Sequence, residues 1–283
     1  MSIRSVLLLL ILFSLKAIGQ VDTAKAPIYG WTHGMAAGLT LSQIGFTDWT
    51  AGGDNALSWA LSLDGKSVDE REKITWANAY KFAFGQARIS DGGLRKTDDK
   101  IDLESILTYK LNHYVNPYAG LTFKSQFAPG YKYNTPVAGQ DLEVSNFFDP
   151  AYITQSIGAG WQPTTQVKTR LGFALRETFS KSYGYADDPK TGTVETSKVE
   201  GGVESVTDVD WKIAENVLFT SKLELFAPFN TIDRVDIRSD NKVTMTVNKY
   251  INAIFAVQLL NVNPFPRTQI KEVIAIGLTY NVF

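Results

Sequence analysis

Hydrophobic and polar residues alternate along most of the chain with a period of two. The segment 99–111 places Leu103 and Leu107 at odd positions, and Asp102 and Glu104 at even positions. Successive side chains of a β-strand point to opposite faces of the sheet. The pattern therefore predicts a strand with one apolar face and one polar face.

Similar alternation recurs throughout the chain, with no convincing helical pattern between the segments. Twelve segments show it: residues 34–42, 54–65, 72–85, 99–111, 116–127, 150–161, 166–177, 198–213, 216–227, 234–247, 251–261 and 270–283. Most of them reach the roughly 9–11 residues that a tilted strand needs to cross the hydrocarbon layer of a membrane. Their order predicts an antiparallel meander in which neighbours are joined by turns.

The predicted connections alternate in length. Short turns fall at 112–115, 162–165, 214–215 and 248–250, and long loops at 86–98, 128–149 and 178–197. Short periplasmic turns and longer outer loops are typical of outer-membrane barrels. An even number of strands then places both termini at the short-turn side, in the periplasm.

Two soluble all-β folds also produce alternating strands. A β-sandwich would rarely carry so many charges opposite its apolar faces on strands of this length, and a lipocalin-like barrel would have about eight strands. The polar face of segment 234–247 fits a polar lumen inside an apolar exterior. We therefore expect an all-β fold, a transmembrane antiparallel up-and-down β-barrel of about 12 strands.

The first residues have the features of an export signal. Arg4 precedes a short apolar core over 6–15, and Ala17-Ile18-Gly19 provides small residues for cleavage before Gln20. The core is too short to span a bilayer comfortably, which disfavours an uncleaved anchor. We expect a cleaved signal peptide over 1–19, a short periplasmic segment over 20–30 and an outer-membrane barrel over 31–283.

Composition excludes several classes of function. The 28 Lys and Arg residues balance 29 Asp and Glu residues, which argues against a nucleic-acid partner. The absence of cysteine excludes thiol chemistry and cysteine-based zinc sites, and the two histidines, His33 and His113, exclude a histidine-rich metal site. We expect no cofactor, no metal site and no catalytic residue.

A barrel hydrolase is the disfavoured alternative, because both histidines fall at the periplasmic end.

The last predicted strand alternates up to the final residue, Phe283. An amphipathic last strand with a terminal Phe resembles the signal that the outer-membrane assembly machinery reads. Phe283 is out of phase with Tyr280 and Leu278, and a β-bulge would restore the phase. The expected partners are outer-membrane lipid and this machinery, with other envelope proteins as a further possibility.

Several segments together resemble a family of uncharacterised outer-membrane β-barrel proteins from Bacteroidota, known as a domain of unknown function. The matching segments are LSQIGFTDWTAGGDNALS (41–58), WANAYKFAFG (76–85), RKTDDKIDL (95–103), TFKSQFAPGYKY (122–133), FFDPAYIT (147–154) and ENVLFTSKLELF (215–226). The resemblance implies an outer-membrane barrel and no assigned reaction.

Charged residues concentrate on the polar faces of the seventh and eighth predicted strands. The candidate lumen-lining residues are Lys168, Arg170, Arg176, Glu200, Glu204 and Asp208. Antiparallel pairing places Arg176 near Glu200, and Arg170 near Glu204 or Asp208. Such ion pairs either brace the wall or form a polar constriction that selects small solutes.

The connection between the first two strands contains candidate residues for the mouth of the barrel. These are Phe46, Asp48, Trp49, Gly52 and Gly53. The glycine pair permits a turn with positive φ, and the aromatic residues suit an interface belt or the lumen mouth. The sequence leaves two roles open, a narrow channel or transporter for small solutes and a barrel subunit of an envelope complex.

Overall fold

The computed structural model describes residues 29–44, 55–90, 93–112, 114–135, 137, 139–188, 191–232, 234–262 and 268–282. The predicted signal peptide over 1–19, His113 and the terminal Phe283 lie outside the described residues.

Twelve long strands form a closed antiparallel barrel, which confirms the predicted fold class. The strands are β1 (Gly30–Ile44), β2 (Ala56–Glu70), β3 (Ile74–Ile89), β4 (Arg95–Tyr109), β5 (Asn116–Ser125), β6 (Gly130–Lys132), β7 (Leu142–Ser145), β8 (Ala151–Trp161), β9 (Val167–Phe179), β10 (Ser197–Ala214), β11 (Val217–Pro228), β12 (Asp236–Thr246), β13 (Ile251–Asn261) and β14 (Gln269–Asn281). The short strands β6 and β7 pair with each other outside the barrel, and a 3-10 turn covers Phe229–Thr231. The part of the chain that is described contains no helix long and apolar enough to cross a membrane.

Each barrel strand corresponds to one predicted segment, but several are longer than predicted. Strand β3 continues to Ile89, which pairs with Ala56 of β2. The predicted loop over 86–98 therefore shrinks to 90–94, because backbone pairing continues past the end of the hydrophobic alternation. The β6–β7 hairpin lies within the predicted long loop over 128–149.

Connections at the two ends of the barrel differ, as the sequence predicts. One end, the short-turn end, has the connections 71–73, 110–115, 162–166, 215–216 and 247–250. The opposite end, the long-loop end, includes the connections 126–150 and 180–196. Asp149 joins these two loops, because its carboxylate accepts hydrogen bonds from Ser180 Oγ at 2.7 Å and from the Ser182 amide at 2.9 Å.

The same two loops also meet through a tyrosine on the second loop. The Tyr183 hydroxyl donates to the Glu143 carboxylate, and this hydrogen bond raises the pKa of Tyr183 to about 12. The two loops therefore form one hydrogen-bonded unit at the long-loop end, which we call the cap.

The exterior of the barrel is apolar between two bands of aromatic residues. Ile274 on β14 is 85% exposed and Phe173 on β9 is 65% exposed. Exposed aromatic residues near the short-turn end are Trp31, Trp76, Tyr109, Trp161, Trp211, Tyr250 and Tyr280. Near the long-loop end, ring contacts join Phe123, Phe147, Phe148 and Phe179 in one cluster, and Phe82 with Phe127 in another.

Candidate functional site

Charged side chains of several barrel strands share the inner face and point into the lumen. Asp102 of β4 pairs in register with Lys81 of β3 and with Lys124 of β5, so the three residues share a face. Lys124 Nζ contacts the Glu224 carboxylate of β11, which lies on another side of the barrel. This contact identifies the shared face as the inner one.

Ion pairs cross the lumen between strands that are far apart around the barrel. Five strands separate β4 from β12 in either direction, yet Lys100 Nζ of β4 lies 2.8 Å from Asp240 Oδ2 of β12. Lys271 Nζ of β14 lies 2.7 Å from Asp98 Oδ1 of β4. We call the residues of these two ion pairs and of four further ones the transluminal ion-pair layer. Its members are Asp98, Lys100, Glu104, Lys124, Arg170, Arg176, Lys222, Glu224, Asp236, Asp240 and Lys271.

Glu104 is the acidic centre of this layer. Its Oε2 atom lies 2.6 Å from Arg170 Nη2 of β9 and 2.7 Å from Lys222 Nζ of β11. The three side chains expose between 10% and 13% of their surface. Charges removed from bulk water need paired partners, and each of these has one.

A cavity of about 1960 Å³ occupies the lumen and extends from Asp98 of β4 to the short-turn end. Glu104, Lys222 and Asp240 of the layer line one part of it, and Gln162 and Thr164 of a short turn line another. On the other side of Glu224, a pocket of about 20 Å³ has room for roughly one water molecule. The described residues thus leave a wide cavity and, beside Glu224, a constriction.

Two aromatic rings fill the inner wall beside this constriction. A Cβ at Gly172 would lie 2.7 Å from the Tyr118 hydroxyl oxygen, and a Cβ at Gly202 would lie 2.8 Å from Cζ of Phe226. Tyr118 and Phe226 are 5% and 1% exposed. Glycine at these two positions gives the rings the space in which they pack, and the packed rings narrow the lumen.

The six residues predicted to line the lumen all lie on β9 and β10, but they do not form one cluster. Lys168, Arg170 and Asp208 line the large cavity, and Arg176 and Glu204 line the small pocket. Glu200 lies 2.6 Å from Lys198 Nζ.

The backbone register agrees with the prediction for Arg176, but the predicted ion pair is wrong. Glu200 is the register partner of Arg176, whereas Arg176 Nη1 lies 2.5 Å from Asp236 Oδ2 of β12. Arg170 keeps a predicted contact with Asp208 at 3.9 Å, but its shorter contact is with Glu104. Inward side chains converge across a curved wall, so a long arginine reaches carboxylates of more distant strands.

The residues predicted at the barrel mouth fall in the connection between β1 and β2. Phe46, Asp48, Trp49, Gly52 and Gly53 lie outside the described residues, so their role stays a prediction.

His33 lies on the exterior of β1, near the short-turn end. Its ring stacks on Trp31 with centroids 5.7 Å apart, and its Nδ1 atom lies 2.9 Å from Ser67 Oγ. The described residues include no group of three or more His, Cys, Asp and Glu side chains arranged to hold a metal ion.

One family model matches part of the chain. Residues 41–131 match a family model described as "Protein of unknown function (DUF3078)", and no curated protein matches the chain. The predicted resemblance to a domain of unknown function agrees with this match over those residues. The affiliation with Bacteroidota stays a prediction.

Several solved structures have a similar course of the chain at low sequence identity. The translocator domain of the autotransporter NalP from Neisseria meningitidis is 10% identical, with 92% of this chain and 90% of that chain covered and a TM-score of 0.42. The NanC porin is 11% identical, with 87% and 98% covered and a TM-score of 0.38. An outer membrane channel from Pseudomonas putida F1 is 14% identical, with 94% and 99% covered and a TM-score of 0.38. The strand order of the chain itself establishes the barrel.

Proposed function

We propose that this chain is an integral outer-membrane barrel that acts as a narrow channel for small hydrophilic solutes. The observation that carries the proposal is the contrast between an apolar exterior and a charged lumen. Membrane barrels have an outward apolar band flanked by aromatic girdles and a polar interior. A closed barrel also pairs the backbone groups that lipid would leave unsatisfied.

The two ends of the barrel favour one orientation. Short turns face the periplasm in outer-membrane barrels, and longer loops face outward. The cavity then faces the periplasm, and the cap formed by the loops 126–150 and 180–196 faces the outside. The export signal predicted over 1–19 supports delivery to this membrane.

The constriction supports passage of small solutes rather than large ones. Barrels of about eight strands are filled by side chains, and those of 16–18 strands hold open channels. Twelve strands lie between these cases, and the transluminal ion-pair layer narrows the lumen further. Rings of fixed charges of both signs favour small polar or charged solutes.

The experiment has two steps on refolded full-length protein. A folded barrel should migrate differently in SDS gels before and after boiling and should resist extraction from membranes by carbonate. Planar bilayers with inserted protein should then show small, discrete conductance steps in KCl. Extraction by carbonate contradicts the membrane location, whereas stable insertion without conductance contradicts the channel and favours a subunit of an envelope complex.

A further inference from the structure

Polar side chains lie on the outer face of the barrel, on strands whose inner faces carry the ion-pair layer. Asp240 of β12 contacts Lys100 across the lumen, so its neighbours along the strand, Ser239 and Asn241, face outward. Ser221 of β11 pairs in register with Asn241 and therefore shares the outer face. All three side chains are half-buried rather than covered.

Strand β10 extends this set on the other side of β11. Val206 and Asp208 line the cavity, so the residues next to them, Ser205 and Thr207, face outward. Thr207 and Ser239 are both register partners of Leu223, which lies between them on β11. We call the five polar residues of these three strands the outer polar patch; they are Ser205, Thr207, Ser221, Ser239 and Asn241.

The outer polar patch lies at the depth of the hydrocarbon layer. Thr207 is four positions along β10 from Trp211, which is one of the exposed aromatic residues near the short-turn end. With strands tilted by about 40°, four positions rise roughly 10 Å, and the apolar band of a membrane barrel is about 25 Å tall. Asn241 is the middle residue of β12. The patch is therefore remote from the polar head groups.

Hydrogen bonds within the patch use only part of its capacity. Ser221 Oγ donates to Asn241 Oδ1 at 2.8 Å, and Asn241 Nδ2 donates to Ser239 Oγ at 2.9 Å. Among the described residues, the hydroxyl hydrogen of Ser239 and the whole hydroxyl of Ser205 have no hydrogen-bond partner. Lipid tails offer none either, and polar groups at membrane depth are costly unless another protein surface bonds to them.

The patch also lacks protruding side chains. Elsewhere on the exterior, Phe173 of β9 is 65% exposed and Ile274 of β14 is 85% exposed. The segments 203–209, 219–225 and 237–243 of the three patch strands contain no exposed large hydrophobic residue. Small and polar side chains let two membrane-embedded surfaces approach closely.

Register lines around the barrel are inclined to the membrane. Successive partners lead from Val209 of β10, two positions from Trp211, through β11, β12 and β13 to Glu272, near the long-loop end of β14. Partners therefore rise toward the long-loop end by roughly 3 Å per strand, for strands about 4.8 Å apart and tilted by about 40°. Across the two steps from β10 to β12 the rise is roughly 6 Å, close to one two-residue step along a strand.

This inclination makes the patch complementary to itself. Thr207 lies at nearly the same height as Asn241, and Ser205 at nearly the same height as Ser239. A twofold axis along the membrane normal, passing next to Leu223, sets β10 of one copy against β12 of a second copy. Thr207 then faces Asn241 and Ser205 faces Ser239, twice in one interface.

We propose that the outer polar patch is the interface through which two copies of this chain form a parallel, twofold-symmetric dimer in the membrane. The patch carries no charge, and its hydroxyl and amide groups both donate and accept hydrogen bonds, so an identical surface satisfies it. The proposal rests on the membrane location proposed above, and it holds whether or not the barrel conducts.

The first test places a single thiol beside the expected axis. The chain has no cysteine of its own, so L223C reacts only with the same position of a second copy. With copper phenanthroline in phosphatidylcholine vesicles, most of the L223C protein should become a disulfide-linked dimer. The control is L103C, because Leu103 faces lipid on β4, on the opposite side of the barrel from β12. Equal cross-linking of both variants at the same protein-to-lipid ratio overturns the interface.

The second test removes one hydrogen-bonding group of the patch. N241L replaces the amide by an ordinary lipid-facing side chain and should raise the dimer dissociation constant at least about tenfold, because a twofold interface loses each contact twice. S105A is the matched control: it removes an outward hydroxyl of β4 that accepts from Trp76 Nε1, and it should leave the constant unchanged. Sedimentation equilibrium in density-matched detergent measures both values. A monomeric wild type, or an equal change in both variants, overturns the dimer.

Insertion is checked separately in every sample, by migration before and after boiling and by resistance to carbonate. Protein that inserts but stays monomeric overturns the dimer and leaves the membrane barrel intact. Protein that does not insert contradicts the membrane location and the dimer with it. The cysteine test leaves every polar group of the patch in place, so it decides the question even if N241L does not fold.

Discussion

At the scale of single residues, Glu104 shows how the lumen tolerates charge. One carboxylate oxygen accepts from a guanidinium and from an ammonium group on two other strands. Desolvation makes each charge costly alone, and the cost is offset only where partners are well placed. Arg170 and Lys222 also keep longer contacts, to Asp208 at 3.9 Å and to Glu224 at 3.6 Å.

Neutralising Glu104 should therefore destabilise the barrel by a moderate amount. We expect E104Q to lower the free energy of unfolding by about 2–3 kcal/mol, because two buried cations lose their nearest carboxylate. D64N is the matched control: Asp64 lies 4.0 Å from Lys242, both side chains are close to half exposed, and the loss should stay below about 1 kcal/mol. Urea unfolding in lipid vesicles measures both values, and equal losses would contradict the central role of Glu104.

At the scale of elements, the period-two pattern is sufficient to predict all twelve barrel strands and the two faces of β4. Leu107 is 45% exposed on the outside and Asp102 is 6% exposed on the inside, as the alternation requires. The β6–β7 hairpin was missed because its strands span three and four residues, too few for a periodic signal. The depth of each lipid-facing residue in the membrane was also not predictable from the sequence, because it depends on the positions of the two aromatic bands on the folded barrel.

Two lipid-facing positions on β4 lie at different depths in the apolar exterior. Leu107 pairs with Trp76 in the short-turn aromatic band, whereas Leu103 lies further into the apolar zone. L103R should cost about 2–4 kcal/mol and L107R about 0–1 kcal/mol, because the penalty for arginine falls toward the interface.

The inward neighbour of Leu107 supplies the control for this pair of variants. T108R should cost little, because Thr108 lines the cavity. Folding titrations in urea compare the three variants. A cost for T108R as large as that for L103R would show that the assigned faces are wrong.

At the scale of the whole molecule, closure of the barrel determines which charges meet. In this barrel of twelve strands, the fourth and tenth strands in chain order, β4 and β12, face each other across the lumen. They supply Lys100 and Asp240. Alternation indicates that these residues point inward, but their pairing also requires the strand number and closure. The neighbouring-strand partner predicted for Arg176, Glu200, is wrong for this reason. Once the number of strands has been predicted from the sequence, closure of the barrel determines which strands stand opposite each other.

Two arginines of the ion-pair layer line the lumen, Arg170 at the large cavity and Arg176 at the small pocket, so removing them should change conduction. R170A/R176A should raise single-channel conductance in KCl, because two large side chains leave the constriction. It should also shift the reversal potential in a KCl gradient toward cation selectivity, because Glu104 and Asp236 lose positive partners.

The control for this double variant removes two positive charges away from the constriction. R71A/K249A deletes cations in the connections 71–73 and 247–250 at the short-turn end, and it should leave the conductance step nearly unchanged. If R170A/R176A folds with wild-type conductance and selectivity, ions do not pass through this layer. An equal increase in both double variants would instead place the limiting resistance at the short-turn end of the cavity.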